Sequence, residues 1–143
     1  MENSEVLFQK ARKLHEAGDL ESAASYYNKI IMMQPSHVDA VFFLGTLYLQ
    51  QGKLDLASLF MKKTLLLRPD HATAHNNMGT VLKKQGKLDK SIASYRQAVA
   101  FKPDYAMAHR NLASLYHDQG NLYEAVKSYK KAISLKPDYA EAY

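Results

Sequence analysis

The stretch from Gly86 to Pro103, GKLDKSIASYRQAVAFKP, decides the fold because its landmarks recur along the chain. Its glycine returns every 34 residues as Gly18, Gly52, Gly86 and Gly120. The leucine two places on returns as Leu20, Leu54, Leu88 and Leu122, and the closing proline as Pro35, Pro69, Pro103 and Pro137. Those are all the prolines the chain has. Three residue types held in phase over such a period mark an array of small structural units.

With the proline set at position 32, the repeats are 4–37, 38–71, 72–105 and 106–139, and residues 140–143 open a fifth. Position 8 reads Ala11, Gly45, Gly79, Ala113, and position 20 reads Ala23, Ala57, Ser91, Ala125. Position 24 reads Tyr27, Met61, Tyr95, Tyr129. Apolar residues at positions 3, 7 and 10, and again at 17, 20, 21, 24, 27 and 28, follow helical spacing and predict two amphipathic helices per repeat. The glycine column ends the first helix in a left-handed residue. The leucine column is expected to act as a hydrophobic staple ahead of the second helix, with Asp55 and Asp89 in or just before its first turn. The proline, lacking an N–H, closes the second helix. Small residues at positions 8 and 20 allow the two helices to approach closely, and bulk at Gly79 should overpack them. One hairpin cannot bury its own apolar face, so the repeats must stack into one continuous domain over 1–143.

Composition agrees with a folded, water-exposed array. Hydrophobic residues make up 47% and charged residues 23%, enough apolar material for a core. The net charge of +5 permits an acidic partner without demanding one. There is no cysteine, which excludes disulfides and thiolate metal sites and fits a reducing cytosol. The opening Met1-Glu2-Asn3-Ser4-Glu5 has no basic and apolar leader, and no run approaches the ~18 apolar residues of a membrane span. A cytoplasmic location is the expectation.

The columns of glycines from Gly18, small residues from Ala11 and Ala23, tyrosines from Tyr27 and prolines from Pro35 resemble the tetratricopeptide repeat family over residues 4–143. The resemblance implies an all-α fold, a right-handed superhelical solenoid of antiparallel helix-turn-helix hairpins. It also implies that the first helices line a concave groove for a peptide or protein segment. Repeats 3 and 4, through Ala74-His75-Asn76-Asn77-Met78-Gly79 and Ala108-His109-Arg110-Asn111-Leu112-Ala113, resemble the arrays of O-GlcNAc transferase and related bacterial proteins. There an asparagine at position 6 forms a ladder that bonds the backbone of an extended peptide. Asn77 and Asn111 occupy that position, and a carboxamide suits the task because it both donates and accepts. Upstream the same position holds Gln9 and Phe43. The carboxylate clamp of chaperone-tail adaptors is not made in either frame, Phe8, Arg12, Phe43, Thr73, Asn77 or Phe42, Thr46, Asn77, Met107, Asn111.

Positions 2, 5, 6, 9, 12 and 13 are expected to face the groove. They supply Phe8, Arg12, Phe42 and Phe43, with Glu5 and Asp39, in the first half. In the second half they supply Asn76, Asn77, Thr80, Arg110, Asn111 and Ser114, with Lys83 and Lys84. An extended partner would place an apolar anchor near Phe42 and Phe43 and an acidic or backbone-rich segment near Asn77 and Arg110. The competing role for each Phe is packing against the neighbouring repeat.

Other chemistries are thinner. His71 and His75 stand four apart, a spacing that can chelate, and His109 lies one period on from His75. With no carboxylate or thiolate beside them, packing is the expectation, and no metal or other cofactor. The basic residues Lys29, Lys62, Lys63, Arg96, Lys130 and Lys131 read as a solvated outer face, with no nucleic-acid motif. No phosphate loop, G-x-S-x-G or H-E-x-x-H appears, so the chain is not expected to be an enzyme. The expected function is a protein-interaction scaffold, with neither nucleic acid nor membrane as partner. The alternatives are the recognition arm of a larger enzyme such as an O-GlcNAc-transferase-like glycosyltransferase, or a scaffold that self-associates through its uncapped last repeat around Tyr129, Ala132 and Ile133.

Overall fold

The computed structural model describes residues 2–137. The expected fifth first helix, from residue 140, lies outside the described residues. Among those residues every regular element is helical. The chain forms two compact units that divide after Pro69, and each holds two repeats. Unit 1 contains α1 (Ser4–Glu16), α2 (Leu20–Met33), α3 (Val38–Gln50) and α4 (Leu54–Leu67). Unit 2 contains α5 (Ala72–Lys84), α6 (Leu88–Phe101), α7 (Ala106–Asp118) and α8 (Leu122–Leu135). Within each unit consecutive helices pack against each other.

The helix boundaries follow from identifiable residues. α1 ends at Glu16 with Ala17 as its C-cap, and Gly18 takes φ +86°, a left-handed conformation that glycine adopts without strain. The Gly18 N–H then donates to the His15 carbonyl and the Asp19 N–H to that of Leu14, at 3.1 and 2.9 Å. That pairing satisfies carbonyls which the helix end would otherwise leave bare. Asp19 in turn caps α2, its carboxylate accepting the Ser22 N–H at 3.2 Å. The leucine column does not precede the second helix as the staple expectation had it. Leu20, Leu54, Leu88 and Leu122 are each the first helical residue, because the cap falls on Asp19, Lys53, Lys87 and Asn121. Asp55 and Asp89 lie in the first turns. Each second helix stops two residues short of its proline. The residue before proline is pushed out of the α region, so Gln34, Arg68, Lys102 and Lys136 already have extended or irregular backbone.

The core of unit 1 gathers Leu7 and Ala11 of α1, Tyr27 and Ile30 of α2, and Val41, Leu44 and Leu47 of α3. That of unit 2 gathers Ile92 and Tyr95 of α6 with Leu112, Leu115 and Tyr116 of α7. Close approach of α5 and α6 depends on Gly79. A Cβ there would stand 2.7 Å from the Tyr95 ring. The Ser91 hydroxyl donates to the Gly79 carbonyl at 2.6 Å, and the Tyr95 hydroxyl lies 2.9 Å from that of Thr80. A small residue, a serine and a tyrosine thus form one interlocked contact, with the polar atoms of both side chains satisfied where they are buried.

The histidines have structural work. His71 is the N-cap of α5, its Nδ1 accepting the Ala74 N–H at 3.1 Å. It therefore stands just before the helix that carries His75. His37 caps α3 in the same way through the Ala40 N–H at 3.0 Å. His75 stacks on Phe101, with centroids 5.5 Å apart. Nε2 of His109 donates to the Pro103 carbonyl at 2.9 Å. Among the described residues no three His, Asp or Glu side chains stand close enough to share a metal ion.

Candidate functional site

The first helices of each unit carry the residues expected to bind. In unit 1, α1 and α3 bring Phe8, Arg12, His15, Phe43 and Gln50 together over Tyr27 of α2. Phe43 is the hub. Its ring stacks on Tyr27 at 6.3 Å between centroids, and Phe8 and Phe42 stand against it at 5.9 and 5.1 Å. The Arg12 guanidinium lies 4.1 Å above the Phe43 centroid, a cation–π placement that holds its charge over an apolar face. Arg12 also pairs with Glu16 one turn on, at 3.3 Å. Beside them opens a cleft of about 330 Å³ lined by Arg12, His15, Glu16, Phe43, Thr46 and Gln50.

His15 joins the two repeats. Its Nε2 lies 2.6 Å from the Gln50 Oε1, and its Nδ1 lies 3.0 Å from the Tyr27 hydroxyl. A carboxamide oxygen only accepts, so Nε2 carries the proton and Nδ1 accepts from Tyr27. Burial pushes the Tyr27 phenol up to about 12, against a smaller opposing effect of Arg12. The hydroxyl is therefore a proton donor at any neutral pH.

In unit 2, α5 and α7 bring the asparagines together. The Asn111 Nδ2 donates to the Asn76 Oδ1 at 3.1 Å, and the Asn76 Nδ2 makes a long contact of 3.9 Å to the Met107 sulfur. Thr80 is tied to Tyr95 and to the Asn76 carbonyl. Arg110 is exposed, and Asn77, Asn111 and Ser114 are half-buried.

Two expected contact residues are more enclosed than their positions suggested. Phe42 is only 6% exposed, with Phe43 edge-on against it, so it cannot serve as an open anchor. The apolar surface near it is the half-buried ring of Phe43. Asn76 is 2% exposed and acts as the acceptor that orients Asn111. At the end of unit 2, Ala132 is fully buried, and the exposed apolar residues of α8 are Leu122, Tyr123 and Val126. From the sequence His15, Glu16 and Gln50 were not singled out, and Thr46 was named only as a position that does not make the carboxylate clamp. They sit at positions 9, 12 and 13, already expected to face a partner, but only the fold shows His15 and Gln50 meeting across 35 residues.

These features define an array of antiparallel helical hairpins with its polar and aromatic contacts gathered on the first helices. A tetratricopeptide repeat model matches residues 14–79, and a second TPR repeat model matches residues 79–120 and 113–143. The chain belongs to the tetratricopeptide repeat family, and so to a class of protein-interaction scaffolds. Solved structures similar to it include the crystal structure of MamA, with a TM-score of 0.87 and 24% identity over 97% of this chain and 81% of that one. MamA residues 41-end from Desulfovibrio magneticus RS-1 give 0.85 at 22% identity, over 96% and 78%. MamA MSR-1 gives 0.77 at 25% identity, over 97% and 80%. At such identities the likeness is one of fold. No curated protein matches. No described helix is long and apolar enough to cross a membrane.

Proposed function

We propose that the first-helix faces hold an extended segment of a partner protein, and that the chain acts by this binding and catalyses nothing itself. The observation that supports this reading best is the Asn111 carboxamide. Asn76 fixes its orientation through one N–H, and no described residue bonds the Asn111 Oδ1. A held carboxamide with a free acceptor and a second free hydrogen matches the donor and acceptor of a peptide unit, whatever the side chains. Asn77 supports the same contact from α5. In unit 1 the Arg12 and Phe43 cleft suits an apolar side chain with a carboxylate or carbonyl beside it. The same faces would serve if the chain is the recognition arm of a larger enzyme.

Peptides selected from a displayed random library test the reading. Replacing Asn77 and Asn111 together by alanine should weaken the selected peptides by roughly tenfold or more, since each net hydrogen bond contributes about 0.5–1.5 kcal/mol and ~1.4 kcal/mol is tenfold. Unchanged affinity in the double variant would sink the backbone-reading role.

A second reading rests on α8. Tyr123 is 77% and Leu122 60% exposed, and with Val126 they border a cleft of about 580 Å³. Such a patch suits pairing between copies. Light scattering at high concentration should show a dimer or larger species that Tyr123→Glu reduces to monomer. A monomer at every concentration would exclude self-association.

A further inference from the structure

Unit 2 has an opening that involves its second helices. Between α6 and α8, above α7, lies a cleft of about 610 Å³ whose walls include Val99, Leu112, Tyr116 and Ser128. None of Asn76, Asn77 or Asn111 contributes to it. Two periods upstream, Phe60 takes the place of Ser128 and Tyr48 that of Tyr116. There the two rings pack at 5.5 Å, with the Lys63 ammonium 4.8 Å over Phe60. Replacing a phenylalanine by a buried serine removes the side chain that would fill this space.

The rim changes as well. Asn28, Leu59 and Leu66 become Arg96, Lys127 and Ser134 two periods on. Arg96, Lys127, Lys130 and Lys131 surround the opening against one carboxylate, Glu124. No ion pair links any of those four cations to a described residue. Arg96 is also held in place. Its Nε donates to the Tyr116 hydroxyl at 2.8 Å, and this exposed guanidinium keeps its two terminal nitrogens, a fork of the kind that fits a carboxylate.

The geometry points to a second binding site, separate from the first-helix faces: the α6–α8 cleft takes an acidic amphipathic helix of a partner protein. A bulky apolar side chain of that helix fills the space left by Ser128, against Val99, Leu112 and Tyr116. Flanking carboxylates meet Arg96, Lys130 and Lys131. The apolar floor argues for a side chain, whereas a nucleic acid would be met by a continuous basic strip.

Fluorescence anisotropy with the full chain tests this. The probe is a dye-labelled helical peptide with leucine and phenylalanine on one face and glutamates along both flanks. A second probe has every glutamate replaced by glutamine, and a third is labelled oligothymidylate. The glutamate peptide should bind at least tenfold tighter than the glutamine peptide. Ser128→Phe, which restores the side chain found in unit 1, should weaken it at least tenfold. Lys130→Glu with Lys131→Glu should do the same without crowding the core, and so guards against a misfolded Ser128 variant. Asn77→Ala with Asn111→Ala should leave this peptide unaffected, which separates the result from the first-helix proposal. Equal binding of the two peptides, unchanged binding in both cleft variants, or oligothymidylate bound as tightly as the glutamate peptide and equally sensitive to charge reversal would overturn the assignment.

Discussion

Gly79→Ala is expected to destabilise unit 2 by about 1–3 kcal/mol, and Gly79→Leu by more, in chemical denaturation followed by circular dichroism. The sign is informative, because propensity alone predicts the reverse. Alanine in a helix interior is favoured over glycine by about 1 kcal/mol. At Gly79 the new Cβ would sit 2.7 Å from two ring carbons of Tyr95, and 2.9 Å from a third. The ring cannot retreat freely, because its hydroxyl is tied to Thr80 and it lies in the core beside Leu112. Gly45, the same column in unit 1, is the control. There the Cβ would meet the flexible end of Met61 at 3.0 Å and the Phe60 Cβ at 3.1 Å. Relaxation of Met61 should bring Gly45→Ala within about 1 kcal/mol of neutral. Removing the ring with Tyr95→Leu should abolish most of the Gly79→Ala penalty, a coupling that a double-mutant cycle measures directly.

The other large effect falls on Tyr27. Its side chain is fully buried between α1 and α3, stacked on Phe43 and donating to His15. Tyr27→Ala should cost about 3–5 kcal/mol, as large aromatic truncations in cores do. Tyr27→Phe keeps the ring and should cost about 1–2 kcal/mol, since His15 Nδ1 loses its donor. The phenol also sets a pH dependence. Its folded-state value of about 12 lies above the ordinary 10.0, so folding favours the protonated form. That contribution is complete below pH 10 and is lost as pH rises towards 12. Denaturation midpoints should therefore fall between those values, and Tyr27→Phe should flatten part of the fall. The buried phenol of Tyr95, also pushed up, accounts for a further part. A wild-type stability that is level across that range would contradict the burial of both rings.

The sequence was most legible where backbone geometry demands one residue type. Gly18 and its equivalents show as chain punctuation because only a left-handed residue ends those helices without strain, and Pro35 and its equivalents because a missing N–H cannot be substituted. The small-residue column was legible for a related reason, since a Cβ at Gly79 has nowhere to go. The leucine column lies two positions further into the helix than a staple would. Leucine suits both a staple and a first helical turn, and only the cap at Asp19 or Asn121 separates the two.

The candidate site was harder to read. Phe42 and Phe43 are adjacent and identical in type, yet one is buried and the other half-buried. Periodicity assigns a position to each but not the depth of packing there. Likewise Asn76 and Asn111 stand 35 residues apart, so their pairing is visible only once α5 and α7 lie side by side. The cleft beside Ser128 is lined by residues that differ from those two periods upstream, among them Ser128 for Phe60 and Arg96 for Asn28. A pattern built from what the repeats share passes over it.

Backbone amide shift mapping of the labelled chain, titrated with peptides selected from a random library, tests the central claim most directly. The account predicts that selected peptides perturb α1, α3, α5 and α7, with the largest changes near Arg12, Phe43, Asn77 and Asn111. If no selected peptide perturbs the first helices, and shifts appear only along α2, α4, α6 and α8, the first-helix faces are not where this chain holds its partner.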